Sequence, residues 1–209
     1  MPSRRHLLTT ERTALHPYCD EDGPELLQLF RDPDVRRYLL DDRVVPPAWM
    51  QQEIDDAERR FHRHGAGAWS VRLRDEGDGD DDGEIIGFVA FREFTQPPEL
   101  QLLYGFLPQH QGKGYALEVT SRACQHAFED LGLGEITAVT DLPNKASAKL
   151  LQRLGMELME ITPDGESGTA HYAISRRMWF ARQQEKAAET TKPNASTPSR
   201  EPQEEQGAE

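Results

Sequence analysis

The chain has 209 residues and a formal net charge of -13. That length gives one domain with room for a full core, and the acidic balance excludes the basic stripe of a nucleic-acid surface while suiting a cationic substrate such as an amine. Cys19 and Cys124 are too few for a disulfide framework or a metal quartet, and no apolar run approaches the ~18 residues that span a membrane.

Residues 1–9 read as a loose arm. Met1 to Arg12 lacks the apolar core of a signal peptide, so a cytoplasmic protein is expected. Arg12 to Leu15 suits a first strand. Asp22 reads as a helix cap with Glu25 reaching back to it, and Leu26, Leu27, Leu29 and Phe30 give that helix an apolar side before it stops at Asp32-Pro33. Asp34 to Leu40 adds a short helical turn. Pro46-Pro47 opens the next helix, where Met50, Ile54, Ala57 and Phe61 recur at helical spacing until Gly65 ends it. His62 and His64 point to different faces and read as a solvated basic end; no metal site is expected.

Ala68 to Leu73 alternates as a strand. Asp78, Asp80, Asp82 and Gly83 look like the start of a calcium loop, but Val89 stands where the bidentate Glu is required, so residues 75–83 read as a hairpin tip. Glu84 to Phe91 and, after Pro97-Pro98, Glu99 to Leu107 are buried strands. Tyr115 to Leu131 is a helix, with Leu117, Cys124, Phe128 and Leu131 at helical spacing and Cys124 in the core. Glu135 to Thr140 returns as a strand. Asn144 caps the following helix with the Ser147 amide as its partner; Leu150, Leu151 and Leu154 bury it and Gly155 ends it. Met156 to Ile161 and Ala170 to Phe180 form a final hairpin. Strands and helices alternate without a parallel repeat, which predicts an α+β fold with a mixed central sheet flanked by helices. One domain over residues 1–180 is expected, followed by a disordered polar tail over 181–209.

One stretch is built for chemistry: the apolar run Leu102 to Leu107 passes into Pro108-Gln109-His110-Gln111-Gly112-Lys113-Gly114-Tyr115-Ala116, and a helix opens there. Gly112 and Gly114 let an anion approach the backbone, the unpaired amides of the first helical turn can point at it, and Lys113 adds a charge. The stretch is not a Walker A loop, because Gly114 follows Lys113 where Ser or Thr belongs, and not a G-x-G-x-x-G loop, because Leu117 replaces the third Gly. An ATP-dependent transferase is therefore a remote reading.

Gln109 to Gly114 does fit Q-x-x-G-x-G/A and resembles the pyrophosphate loop of the Gcn5-related N-acetyltransferases, the GNAT superfamily. Asn144-Lys145-Ala146-Ser147 followed by Leu150 to Met156 is similar to that superfamily's N-x-x-S segment, and Thr10-Glu11-Arg12-Thr13-Ala14-Leu15-His16-Pro17 resembles the opening of its ribosomal-protein-alanine acetyltransferase-like branch (RimJ/RimL-type). The resemblance covers roughly residues 8 to 180. It implies a mostly antiparallel sheet and acetyl-coenzyme A as cosubstrate, held by Phe106, Leu107, His110, Gln111, Gly112, Lys113, Gly114, Tyr115, Ala116, Asn144 and Ser147. The pantetheine arm would pair with Phe106 and Leu107 like an added strand.

The resemblance further implies an N-acetyltransferase acting on a primary amine, a protein N-terminus or a small amine, by direct transfer. The oxyanion then needs a donor, read as a backbone N–H of Phe106 or Leu107. The thiolate needs a proton donor. Many members use a Tyr whose position here is Leu151, so Ser147 is the expected donor, with Tyr104 and Tyr115 as fallbacks and Tyr104 otherwise a packing residue. The branch's Glu base corresponds to Gln101, so Glu99 is the expected base, with Glu93 and His16 as other candidates. The altered base position leaves a second reading open, a catalytically silent acyl-coenzyme A-binding regulatory module. The family also suggests a homodimer, with no nucleic-acid or membrane partner.

Overall fold

A computed structural model of the chain describes residues 6–74, 83–93, 100–164 and 167–190. The expected tip over 75–82, Glu99, and the far part of the polar tail over 191–209 lie outside the described residues. Among the described residues no helix is long and apolar enough to cross a membrane.

The strands are β1 (Leu8–Thr9), β2 (Thr13–Pro17), β3 (Ala68–Leu73), β4 (Ile85–Glu93), β5 (Leu100–Phe106), β6 (Glu135–Asp141), β7 (Glu157–Asp164) and β8 (Ser167–Ser175). They form one sheet in the order β1-β2-β3-β4-β5-β6-β8-β7. Every neighbouring pair is antiparallel except β5 and β6. The helices are α1 (Gly23–Arg31), α2 (Pro33–Leu39), α3 (Pro47–His64), α4 (Tyr115–Gln125), α5 (Lys145–Leu154) and α6 (Arg176–Thr190). The fold is thus the expected α+β arrangement.

Strand β4 explains why its sequence reads as unbroken apolar residues: both of its faces are covered. Phe88 and Ala90 join Leu26, Leu29, Phe30, Met50, Ile54 and Ala57 of α1 and α3 in one core. Val89 and Phe91 face the other core, with Val119 and Phe128 beyond them and Leu151, Leu154 and Trp179 from α5 and α6. The stripe Met50, Ile54, Ala57 and Phe61 is buried throughout, and Gly65 ends α3 in the left-handed conformation at φ 71°.

Several local expectations change. The arm read as loose contributes β1, which pairs with β2. The cap assigned to Asp22 does not form: the residue continues a 3₁₀ turn in right-handed geometry, and its carboxylate accepts from Ser70 Oγ at 2.9 Å and Arg72 Nη2 at 2.7 Å. Glu25 accepts the Ile85 amide at 3.2 Å instead of reaching back. The side-chain cap lies at the next helix, where Asp32 Oδ1 accepts from the amides of Asp34 and Val35. His64 is not simply solvated, since its ring lies against the Glu93 carboxylate. The helix expected to Leu131 passes at His126–Asp130 into a π-turn.

The largest correction is at the C-terminal end. The strand expected over Ala170 to Phe180 stops at Ser175, and the polar tail expected from Ala181 begins as helix α6. Ser175 Oγ accepts the Met178 amide at 3.3 Å, which starts the helix, and Trp179 packs on Phe128 at 5.6 Å between ring centroids. The outer side of α6 is polar, which is why its sequence looks like a tail.

Asp22 and Asp32 separate a buried ion pair from a surface cap. Asp22→Ala leaves Arg72 under-paired in a site only 8% to 12% exposed and is expected to lower stability by about 3 kcal/mol. Asp32→Ala is expected to cost about 1 kcal/mol. Urea unfolding reads both as a lower midpoint at unchanged slope.

Candidate active site

The site begins where β5 ends. The Leu107 amide donates to the Ile86 carbonyl at 3.0 Å, which locks the strand exit onto β4. Bonded and non-bonded pairs alternate along an antiparallel ladder. Phe106, opposite Gly87, therefore turns its amide and carbonyl away from β4. That excludes the Leu107 amide as the oxyanion donor, because it is already engaged, and leaves the Phe106 amide. The Phe106 carbonyl accepts from Gln111 Nε2 at 2.9 Å, so this side chain closes the loop on itself.

The loop runs through a 3₁₀ turn at Pro108–His110 to Gly112 and Gly114, with φ of 70° and 88°. Any other residue there is strained by about 1–2 kcal/mol. A Cβ on Gly112 would meet no atom within 4 Å, so the loop is open on that side. The first helical bond of α4 runs from the Glu118 amide to the Gly114 carbonyl at 3.2 Å. The amides of residues 114–117 therefore have no partner within the helix and sit at its positive end. Unpaired amides at a positive helix end, beside an open glycine, suit an anion. His110 and Tyr115 flank it with ring centroids 6.4 Å apart, and Lys113 and Ala116 complete the stretch.

A brace holds the loop from a distant part of the chain. Arg12 Nη1 donates to the Lys113 carbonyl at 3.1 Å, Arg12 Nε donates to Glu118 at 2.7 Å, and the guanidinium lies 4.5 Å from the Tyr115 ring centroid. The Arg12 amide and the Thr10 hydroxyl both donate to Glu118 Oε1. Burial raises the Glu118 carboxyl, but the bonds from Thr10 and Arg12 outweigh it and hold the group below the usual carboxylate range. In the sequence Arg12 reads as a strand start and as part of the Thr10–Pro17 resemblance, and neither gives it this role. The usable signal was Glu118 one turn into the loop's helix, facing an arm with a Thr and an Arg.

Strands β5 and β6 share a single register pair, Gln101 with Thr137, and then part. β6 stays paired with β8 along its full length, so the opening lies between β5 and β6. Tyr104 on β5 and Ser147 on α5 meet there, oxygen to oxygen at 2.7 Å. Asn144 Oδ1 caps α5 by accepting the Ser147 amide at 3.1 Å and fixes where Ser147 stands. Tyr104 is therefore a partner of Ser147 and more than a packing residue. Burial pushes its phenol up to about 12, against a smaller opposing effect of the Ser147 bond. Leu151 is buried in the core.

Among the described residues, none of the expected candidates is set at the opening as a base. Glu99 lies outside the described residues. Gln101 stands opposite Arg92, whose guanidinium is bonded to Glu53. Glu93 is taken up by His64 and Arg63. His16 sits on β2 opposite Ser70, away from the β5–β6 opening. A carboxyl not singled out from the sequence is Asp141 at the end of β6, which burial and the charge of Asp41 push above the usual range. Asp41 and Asp42, in the α2–α3 connection, are both left-handed at φ 51° and 59°.

The chain matches the family model described as the acetyltransferase (GNAT) domain over residues 12–157. It is 26% identical over 152 residues to the uncharacterized N-acetyltransferase YoaA of Bacillus subtilis (strain 168), covering 72% of this chain and 82% of that protein. It is 27% identical over 199 residues to the FsC-acetyl coenzyme A-N(2)-transacetylase of Aspergillus fumigatus, covering 84% of this chain and 79% of that protein. Among solved structures, the ribosomal alpha-N-protein acetyltransferase RimL in complex with coenzyme A superposes with a TM-score of 0.66 at 14% identity, covering 81% of this chain and 97% of that one. That last likeness is one of fold. The open, glycine-lined cradle fits the pyrophosphate of coenzyme A.

Two outcomes test this geometry. Acetyl-coenzyme A at 100 times its dissociation constant should stabilise the protein by about 2.7 kcal/mol in thermal unfolding. Gly112→Asp, which puts a charge and a side chain into the open cradle, should abolish that shift. The Glu118 carboxyl lies lower folded than unfolded, so its contribution is full above the ordinary carboxylate pKa of about 4.3 and is lost as pH falls through the folded value. Urea midpoints of wild type and Glu118→Gln should therefore differ near neutrality and converge in acid.

Proposed function

This chain belongs to the GNAT acetyltransferase family and is an acetyl-coenzyme A-dependent acetyltransferase, and on that premise we propose that its acceptor is a primary amine, acetylated directly at the β5–β6 opening. The bond between Tyr104 and Ser147 at that opening carries the reading. Bound acetyl-coenzyme A supplies an activated acyl group as a thioester. The loop amides of residues 112–116, with His110, Gln111 and Lys113 around them, hold its pyrophosphate. The Phe106 amide, turned away from β4, faces its arm, while Leu107 anchors the strand. Asn144 sets the position of Ser147.

The proton inventory follows from the same groups. Tyr104 is protonated at neutral pH as any phenol is, and burial makes it a still weaker acid, so the Tyr104–Ser147 pair serves a departing thiolate as a hydrogen-bond donor. An alkylammonium is no nucleophile until it loses a proton. Asp141, held above the ordinary carboxylate range by burial and by the charge of Asp41, is better matched to accept one than an ordinary carboxylate, and with Asp41 it favours the approach of a cation. Protein N-termini and small amines both meet these requirements. The relative named for ribosomal-protein acetylation and the one named for transacetylation of FsC support one each. We assign the functional unit to the residues from β1 through α6.

The test is thiol release from acetyl-coenzyme A in the presence of N-terminal peptides, polyamines and amino-acid derivatives. Acceptor-dependent release is expected. Tight acetyl-coenzyme A binding with no release for any amine would overturn the reading in favour of a silent binding module. Ser147→Ala and Tyr104→Phe should each lower kcat about 100-fold with little change in acetyl-coenzyme A affinity. Because the two side chains act as one unit, the double variant should be little worse than either.

A further inference from the structure

The two faces of β5 look onto different surroundings, because successive side chains of a strand point opposite ways. Leu100, Leu102 and Phe106 are buried in the core that α4 and α5 cover, and Tyr104 packs against it. Leu103, and Leu107 just past the strand, pack instead against the core built from α1 and α3. The cofactor is held from the first side, where α4 opens at the glycine loop and α5 carries Ser147. On the reading that transfer is direct and takes place at the β5–β6 opening, the acceptor nitrogen reaches the thioester from the second side.

That side is apolar. Leu103 and Leu107 are only half-buried, as are Leu39 and Leu40 at the end of α2 and Trp49 in α3, and all five pack on the same core. Helix α2 lies against β5. Next to Leu39 in the chain, Tyr38 is 39% exposed, and Val44 further along the connection is 62% exposed. The connection is held in place: Arg36 Nη1 donates to the Asp42 carbonyl at 3.2 Å, and Arg43 Nε donates to the Leu40 carbonyl at 3.1 Å. It also brings Asp41 near enough to Asp141, at the end of β6, for its charge to act on that carboxyl. A preformed apolar surface with a few polar groups at one end is how sites for small molecules are built.

We propose that the acceptor is a small monoamine carried on an apolar body, an unbranched alkyl chain or an aryl ring, whose ammonium meets Asp141 while the body lies on Leu40, Val44 and Leu103. A second ammonium finds no unmatched carboxylate on the connection, since Asp42 is paired with Arg36 and Asp41 with Arg43. A diamine would therefore leave a charge against carbon. A peptide acceptor gains little either, because the strand edges at the opening face the cofactor's arm and leave its backbone no ladder to join.

Acceptor selectivity is the measurement, read as thiol release from acetyl-coenzyme A with straight-chain amines from propylamine to octylamine. Their ammonium groups are equally basic, so only the apolar body changes. kcat/KM should rise about two- to four-fold for each added methylene until the chain outruns the surface. Diaminohexane and an N-terminal tripeptide should each fall at least about ten-fold below hexylamine, on the same burial argument. Val44→Asp and Leu40→Gln should each flatten the rise, while stabilisation by acetyl-coenzyme A and the unfolding midpoint stay close to wild type. Amines acetylated without regard to chain length, a diamine or tripeptide preferred over hexylamine, or a rise that survives both substitutions would each overturn the proposal and leave acetylation of amines standing. Silence toward every amine, alkylamines included, is the failure of the acetyl-transfer reading itself and takes the proposal with it.

Discussion

The site depends on a parallel pair that touches at one register position. β5 satisfies its backbone on the β4 side and β6 on the β8 side, and past Gln101 and Thr137 each turns a row of amides and carbonyls toward the gap between them. Unpaired backbone inside a sheet is costly unless water or a ligand satisfies it. The gap is thus a ready place for an extended molecule with amide groups of its own. Helix α4 opens just past β5 and helix α5 just past β6. Two positive helix ends therefore flank the carboxyl ends of two parallel strands, the place where open sheets hold anionic ligands.

Geometry there is set by residues remote in sequence. Arg12 reaches Lys113 and Glu118 across roughly a hundred residues of chain. Its side chain is 43% exposed, so the ion pair adds little to global stability. Its value is positional: one guanidinium fixes a loop carbonyl, a first-turn carboxylate and the Tyr115 ring together, and the left-handed glycines have no side chains to do so themselves. Asn144 performs the matching task on α5, where a single cap bond orients Ser147 toward Tyr104.

Much of this was legible in the sequence. The α3 stripe, the glycine loop and the Asn144 cap follow from local periodicity and local bonds, so the residues that make them are close in the chain. The failures share the opposite property. Asp22 has the right type and spacing for a cap, yet Ser70 and Arg72 of β3 claim its carboxylate. Tyr104 alternates like any core residue of β5, and only the placement of α5 reveals its partner. Helix α6 was hidden because its polar outer residues outnumber the buried Trp179 that anchors it. At Gln101, where the branch carries its Glu, the neighbour across the ladder is Arg92, a fact of register that spacing alone does not contain.

The narrow contact between β5 and β6 also divides the sheet into two parts, β1 to β5 and the group β6, β8 and β7. Tyr104 belongs to the first part and Ser147 follows the second, so their bond spans the division. Helix α6 ties the second part together on its far side: Arg182 lies against Gly155 at the end of α5 and donates to the Arg153 carbonyl at 3.3 Å. Precision at the reacting end therefore depends on how firmly the smaller half-sheet is held, and the Arg182 contacts and the Tyr104–Ser147 bond hold it at the helix that carries Ser147.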